Sequence, residues 1–488
     1  MQHPEPATIF EKSGESSTQM QKPKTQYNIK YITTLSLVSA LGGLLFGYDW
    51  VVIGGAKPFY EQFFRIAGDA NTHLQGWAVS SALIGCIIGT LVSGSLSDNF
   101  GRKKLLISAA ALFLISAIGT GISNVFSLFV VYRVIGGIGI GLASNLSPVY
   151  IAEISPADFR GRFVSIQQLT IVIGILLAQL INYLIAEPVP ENATNEMILN
   201  SWNGQQGWRY MFWAEAVPAS LFFLLMWFVP DSPRWLAQKG SENKARRILT
   251  KIGGREYAQR TINDIHETSK REEMSINIKG LLNHNILPLV VVGIVLAVFQ
   301  QWCGLNVIFL YADKIFSAAG YDVSAMLFNV VITGSVNLLF TLVAMGIVDR
   351  IGRKKMMITG SLGLAIIYTI LGTFYFMKVT GAAMLILVLA AIACYAMTLA
   401  PVTWVLLSEI FPNRIRGAAM AVATFSLWTA NAMLAFFFPI VNSALRESGS
   451  FWLFAGICVA GFVFIKTRLK ETKGQTLEEI ELGAKKTK

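Results

Sequence analysis

With 488 residues, 53% of them hydrophobic and only 14% charged, the chain carries far less charge than the roughly 25% of an ordinary soluble domain. A mean hydropathy of +0.53 points the same way: this is an integral membrane protein, and the lipid bilayer is its first partner. The formal net charge of +11 does not mark a nucleic-acid binder, because the Lys and Arg residues gather in alternate loops between apolar runs.

In chain order, residues 1–29 read as a polar, disordered tail without the apolar core of a signal peptide. Runs long enough to span a bilayer follow at 31–55, 75–97, 104–124, 126–152, 163–186 and 208–230, and again at 285–317, 325–348, 355–378, 381–409, 417–441 and 449–469. The expected fold is all-α: about twelve transmembrane helices in two pseudo-symmetric six-helix bundles, 30–230 and 285–469. A charged helical linker over 231–284 joins them, and a tail over 470–488 ends the chain. Within the linker, Ser241 opens a charged helical pattern running to Leu249, which predicts small amphipathic helices under the bundle.

Orientation follows from the basic residues. One side holds Arg102 to Lys104, Arg160, Arg162, the linker, Arg350, Arg353 to Lys355, Arg414 and Arg416; the other holds Lys57, Arg65, Lys314, Lys378, Arg446 and an acidic 187–207 loop. The positive-inside rule makes the first side cytoplasmic, with both termini and the linker inside, in a plasma membrane such as the bacterial inner membrane.

The two halves repeat each other. Gly94-Ser95-Leu96-Ser97-Asp98-Asn99-Phe100-Gly101-Arg102-Lys103-Lys104 recurs as Gly346-Ile347-Val348-Asp349-Arg350-Ile351-Gly352-Arg353-Lys354-Lys355, and Glu153 with Arg160 recurs as Glu409 with Arg416. Similar halves around a shared site are the plan of a transporter. An acid at a helix end, a turn glycine and a basic cluster can lock neighbouring helices and release when they tilt. Asp98, Arg102, Glu153 and Arg160, with Asp349, Arg353, Glu409 and Arg416, are therefore the candidate cytoplasmic gate.

Cys86, Cys303, Cys394 and Cys458 lie in apolar segments without metal-ligand spacing and read as buried thiols. The run Gly136 to Gly141 sits inside a span and follows no strand, so it reads as close helix packing, not a phosphate loop. Asn192-Ala193-Thr194 is a glycosylation sequon in an outer loop. No metal cluster, nucleophile constellation or cofactor loop appears, so neither an enzyme nor a cofactor is expected.

Charges deep in the spans are few: Asp49, Arg133 and Glu215. A carboxylate at that depth costs about 2.5–3.5 kcal/mol on insertion scales, so Asp49 needs a partner or a cavity. With so little cationic charge at the midplane, a small neutral substrate fits better than an anion. The spans offer Gln168, Gln300, Gln301, Asn306, Asn337, Trp404 and Trp428: carboxamides that both donate and accept hydrogen bonds without a charge to desolvate, and indoles with an apolar face and one N–H donor. Such amides can equally join helices. Cys303-Gly304 would loosen the helix between Gln301 and Asn306 and turn these side chains toward a common cavity.

Together the repeated motifs resemble the major facilitator superfamily. Pro230-Asp231-Ser232-Pro233-Arg234-Trp235-Leu236 and Glu471-Thr472-Lys473-Gly474 are similar to signatures of its sugar porter family, with Asp231 for Glu and Lys470 for Pro. The resemblance runs from about residue 30 to 480 and is closest to the bacterial D-xylose–proton symporters, with the animal glucose facilitators more distant. It implies sugar contacts at Gln168, Gln300, Gln301, Asn306 and Trp404, aromatic walls at Phe46 and Trp428, and a proton site at Asp49 paired with Arg133, with Glu215 modulating it. It implies proton-coupled symport of a xylose- or glucose-like monosaccharide by a functional monomer, with passive facilitation and sugar sensing as the alternatives. Ile175, Leu310, Ala400 and Leu427 depart from the xylose-symporter pattern and make a less polar pocket.

Overall fold

A computed structural model describes residues 26–190, 193–272, 286–411, 416–469 and 471. The first half runs α1 (Ile29–Phe63), α2 (Thr72–Phe100), α3 (Arg102–Ile122), α4 (Phe126–Ile154), α5 (Arg160–Ile185), a short α6 (Asn195–Asn200), α7 (Trp208–Trp213) and α8 (Ala216–Phe228). After α9 (Pro233–Gln238) and α10 (Glu242–Glu272) come α11 (Leu287–Trp302), α12 (Leu305–Leu310), α13 (Ala312–Ala318), α14 (Val323–Ile351), α15 (Arg353–Phe376), α16 (Ala382–Met397), α17 (Leu399–Glu409) and α18 (Arg416–Arg468).

Among the described residues, 11 helices are long and apolar enough to cross a membrane, against the twelve spans read from the sequence. The difference lies in α18, whose apolar part, Ala418–Arg468, is 51 residues long. At 1.5 Å per residue a straight helix of that length would run about 77 Å, far beyond a hydrocarbon core of about 30 Å. The backbone leaves the helical region at Arg446, with φ 59° and ψ 179°. Phe438 and Phe454, on either side of that break, then stack with ring centroids 6.3 Å apart, where a straight helix would hold them about 24 Å apart. The chain folds back at Arg446 and crosses again.

Local chemistry sets the turns. Asn28 caps α1 by accepting from the Tyr31 amide at 3.1 Å, and Asp322 caps α14 by accepting from Ala325 at 2.6 Å. Gly101 and Gly352 hold φ +85° and +100° at the α2–α3 and α14–α15 turns. The repeated motif keeps glycine there because a side chain would be strained. Helices α2 and α4 touch where Gly137 meets the Ala82 carbonyl and Gly141 the Cys86 carbonyl, the close packing expected of that glycine run.

The seventh span breaks at Cys303-Gly304, where the glycine is expected to loosen it; it breaks again at Tyr311, and the tenth span breaks at Thr398, with φ −125° and ψ −81°, neither of which is expected from the sequence. The 187–207 loop contains α6, and a π-helical turn over Asn203–Gly207 leads into the sixth span. Cys394 is half-buried, while the other three thiols are buried. In the linker, α10 kinks at Gly253 and Gly254, and it packs under the bundle through Asn28 N to Ile252 O at 2.8 Å and a Tyr27–Tyr257 edge contact. Residues 1–25, the sequon residue Asn192, residues 273–285 and the tail from 472 lie outside the described residues.

The two halves meet along a seam that is shut at the end away from the basic loops. There Trp50 packs on Phe309, Trp77 on Phe436 and Tyr183 on Phe328, at 5.9, 5.6 and 5.7 Å between ring centroids. The Val189 amide also donates to Ser324 Oγ at 2.9 Å. At the basic end, Arg102 pairs with Asp98 and Glu153 within the first half, and Arg353 with Glu409 within the second.

Candidate functional site

The site begins on α1, where Phe46 and Asp49 stand three residues apart, about one turn, on nearly the same helix face. Asp49 is fully buried, and so is Arg133 on α4. Arg133 Nη1 donates to Asp49 Oδ1 and Nη2 donates to the Asp49 carbonyl at 3.2 Å, so one guanidinium holds both the side chain and the backbone of α1. The Arg133 guanidinium also lies 5.5 Å from the Phe212 ring centre. Asp49 Oδ2 accepts no hydrogen bond, and it faces Gly136, where a Cβ would come within 2.9 Å of it. Glu215, buried between α7 and α8, leaves both carboxylate oxygens without a partner and acts electrostatically on the same pair. Two carboxylates and one guanidinium therefore share a dry site, an arrangement suited to holding or passing a proton.

One turn inward along α1, Phe46 packs against Trp428 of α18 with ring centroids 5.5 Å apart, bringing the two halves together at mid-depth. Around the α11–α12 break, Asn306 Nδ2 donates to Gln301 Oε1 and to Asn431 Oδ1, the latter at 3.2 Å, and Gln301 Nε2 donates to Gln300 Oε1 at 3.1 Å. The break thus gathers four carboxamides into a chain with donor and acceptor sites to spare. Asn337 is buried on α14, Gln168 is half-buried on α5, and Trp404 on α17 is the most exposed of the set at 37%.

At the basic end, Arg102 reaches Glu153 Oε1 at 3.0 Å and Asp98 Oδ1 at 3.7 Å, and donates to the Ser97 carbonyl at 3.1 Å. The second half repeats this with Arg353 and Glu409 at 3.1 Å. Arg160, in the first turn of α5, donates from Nε to the Ala152 carbonyl of α4 at 3.2 Å. The side chains of Asp349 and Arg416 lie outside the described residues. Trp235 Nε1 donates to the Asp98 carbonyl at 3.1 Å while its ring covers Gly101, tying the linker to the first gate loop.

A family model described as sugar (and other) transporter matches residues 35–483. The chain belongs to the sugar transporter family. The transporter is 40% identical over 485 residues to the D-xylose-proton symporter of Escherichia coli (strain K12), covering 94% of this chain and 96% of that protein. It is 38% identical over 456 residues to the arabinose-proton symporter of Bacillus subtilis (strain 168), covering 93% and 95%. Its fold is similar to the xylose transporter XylE from E. coli in an inward open conformation, with a TM-score of 0.79, 39% identity and coverage of 93% of this chain and 99% of that one. It is a multi-pass membrane protein of the major facilitator fold and a transporter, not an enzyme.

Sequence reasoning missed several partners within the transporter. Asn431 lies three residues after Trp428 on α18, so helical spacing alone could have found it. Lys57, read as an outer-loop charge, is fully buried inside α1; its Nζ sits 2.7 Å from Asp313 Oδ2, 3.4 Å from Glu61 Oε1 and 4.8 Å from the Tyr311 ring centre. Glu471, read as part of a tail signature, accepts from the Arg353 and Lys354 amides at 2.9 and 3.1 Å and caps α15.

Proposed function

We propose that the transporter carries a neutral monosaccharide, xylose- or glucose-like, into the cell together with a proton, with Asp49 as the proton site and Arg133 as its counter-ion. The carrying observation is the buried Asp49–Arg133 contact, one turn from Phe46, which itself packs across the seam on Trp428. Arginine stays charged while a carboxylate can take a proton, so protonation of Asp49 weakens the hold of α4 on α1. Deprotonation restores it. Glu215, with both oxygens free, modulates the same pair. Gln168, Gln300, Gln301, Asn306, Asn337 and Trp404 supply the sugar contacts beside the packed Phe46 and Trp428 rings.

The basic end is read as cytoplasmic, with both termini inside, and the membrane as a bacterial inner membrane. The bundles 30–230 and 285–469 then rock about the site as a monomer, and the gate pairs Arg102–Glu153 and Arg353–Glu409 tighten when the cytoplasmic end closes. A gradient of one pH unit contributes about 1.4 kcal/mol and 100 mV on one charge about 2.3 kcal/mol. At one proton per sugar that supports accumulation on the order of several hundredfold. The D-xylose-proton and arabinose-proton symporters among the relatives favour this reading.

The test is counterflow and pH-driven uptake of labelled pentoses and hexoses in proteoliposomes, comparing wild type with Asp49→Asn. The variant is expected to keep exchange and lose accumulation. Accumulation retained in the variant would move the proton site elsewhere, and wild-type exchange without proton uptake would make the protein a passive facilitator.

A further inference from the structure

The face of α5 that carries Gln168 also carries Ile175 and Gln179, because seven and eleven residues bring a helix back to within about 20° of the same direction. Ile175 offers no hydrogen bond there. Gln179, one turn further from the basic end, is 1% exposed, and neither its Oε1 nor its Nε2 has a partner. It lies across the seam from α14, where a Cβ added to Gly334 would sit 1.9 Å from Gln179 Oε1, so the facing helix leaves room for the carboxamide by having no side chain.

An amide that serves to join helices uses its atoms on them. Asn182, three residues along, does so by donating to the Val52 carbonyl at 2.9 Å. Gln167 is also unpartnered, but it packs within its own half on Gly43. Gln179 is different: it is held dry between the two halves, at the end of the seam that must part for substrate to enter. Leaving such a group unsatisfied costs roughly 1–3 kcal/mol, a penalty relieved when the seam opens and a polar partner arrives. Trp50 stands within about a turn of the same depth, since α1 and α5 run side by side with Gly47 on Ile171 and Gly55 on Asn182; its indole Nε1 is unpartnered too.

We infer that Gln179 is a sugar-binding residue of the outward-facing state, hydrogen-bonding pyranose hydroxyls one turn outward of Ile175, with Trp50 beside it. This rests on the sugar-transport reading above. It makes recognition sided: the carboxamide meets sugar arriving from outside and is sealed off once the outer seam closes.

The experiment measures zero-trans influx in right-side-out vesicles and zero-trans efflux in inside-out vesicles, with labelled D-xylose and D-glucose, for wild type, Gln179→Ala and Gln179→Asn. The expected result is an influx KM raised about tenfold in Gln179→Ala, the loss of about one hydrogen bond, with the KM from the basic end within about twofold of wild type. Gln179→Asn should recover part of the influx KM. An influx KM unchanged in Gln179→Ala, or KM values raised equally from both sides, would overturn the assignment and leave the sugar-transport reading standing. Wild type that moves neither sugar would overturn both.

Discussion

Asp313→Asn removes one carboxylate from the buried cluster that joins α1 to α13 across the seam. Lys57 is fully buried, with Asp313 Oδ2 at 2.7 Å and Glu61 Oε1 at 3.4 Å. Breaking one partner of a buried pair costs about 3–5 kcal/mol. Glu61 remains, and the Asp313 side chain is 17% exposed, so the lower figure of about 3 kcal/mol applies. Only the outer-closed state bears this cost, because the partners sit on opposite halves and regain water when those halves part. A difference of about 3 kcal/mol shifts the population toward the outward-open state by about 150-fold. A reporter cysteine at Ser324, which accepts from the Val189 amide across the same seam, converts that shift into a rate. In a background without the four native cysteines, a membrane-impermeant maleimide should label Ser324→Cys on the order of a hundredfold faster when Asp313→Asn is added. The charge swap Lys57→Asp with Asp313→Lys should bring the rate back toward the parent. Unchanged labelling in Asp313→Asn, or a swap that labels as fast as the single variant, would refute the reasoning.

The gate loops differ in how much each acid matters. Arg102 sits between Glu153, whose side chain is 8% exposed, and Asp98, whose side chain is 76% exposed and 3.7 Å away. Arg102→Ala strands a buried carboxylate and should lower the thermal midpoint of purified protein by the equivalent of about 3 kcal/mol, whereas Asp98→Ala should stay within about 1 kcal/mol. Glu471→Gln removes the charge and one of the two acceptors of the α15 cap, since a carboxamide nitrogen cannot accept from an amide; a loss of about 1–2 kcal/mol, seen as a fall in the same midpoint, is expected.

Much of the fold was legible as pattern. Apolar runs are set by bilayer thickness, turns by the glycine and basic residues that end them, and the duplication by the repeated motifs, so helix number and connection follow from local composition. Asp49 stood out for the same reason: one carboxylate in a long apolar stretch is visible without any partner. The break at Cys303-Gly304 could be read because glycine loosens a helix wherever it occurs, and that break is what turns Gln301 and Asn306 toward each other.

Contacts between distant segments could not be read in this way. Lys57 and Asp313 are 256 residues apart, and each alone looks like an ordinary charge near the end of a span; they become a buried bridge only because two halves close on each other. Gln179 reads as one more amide in an apolar helix until Gly334 is found opposite it with nothing to bond. The polar stretch between 441 and 449 already separates two spans in the sequence, but only the structure places the reversal at Arg446 and packs Phe454 against Phe438 across it. Hydropathy and turn chemistry act along the chain and are written in it. Burial of a charge and satisfaction of an amide depend on which helices meet, and that is settled by packing across the whole molecule.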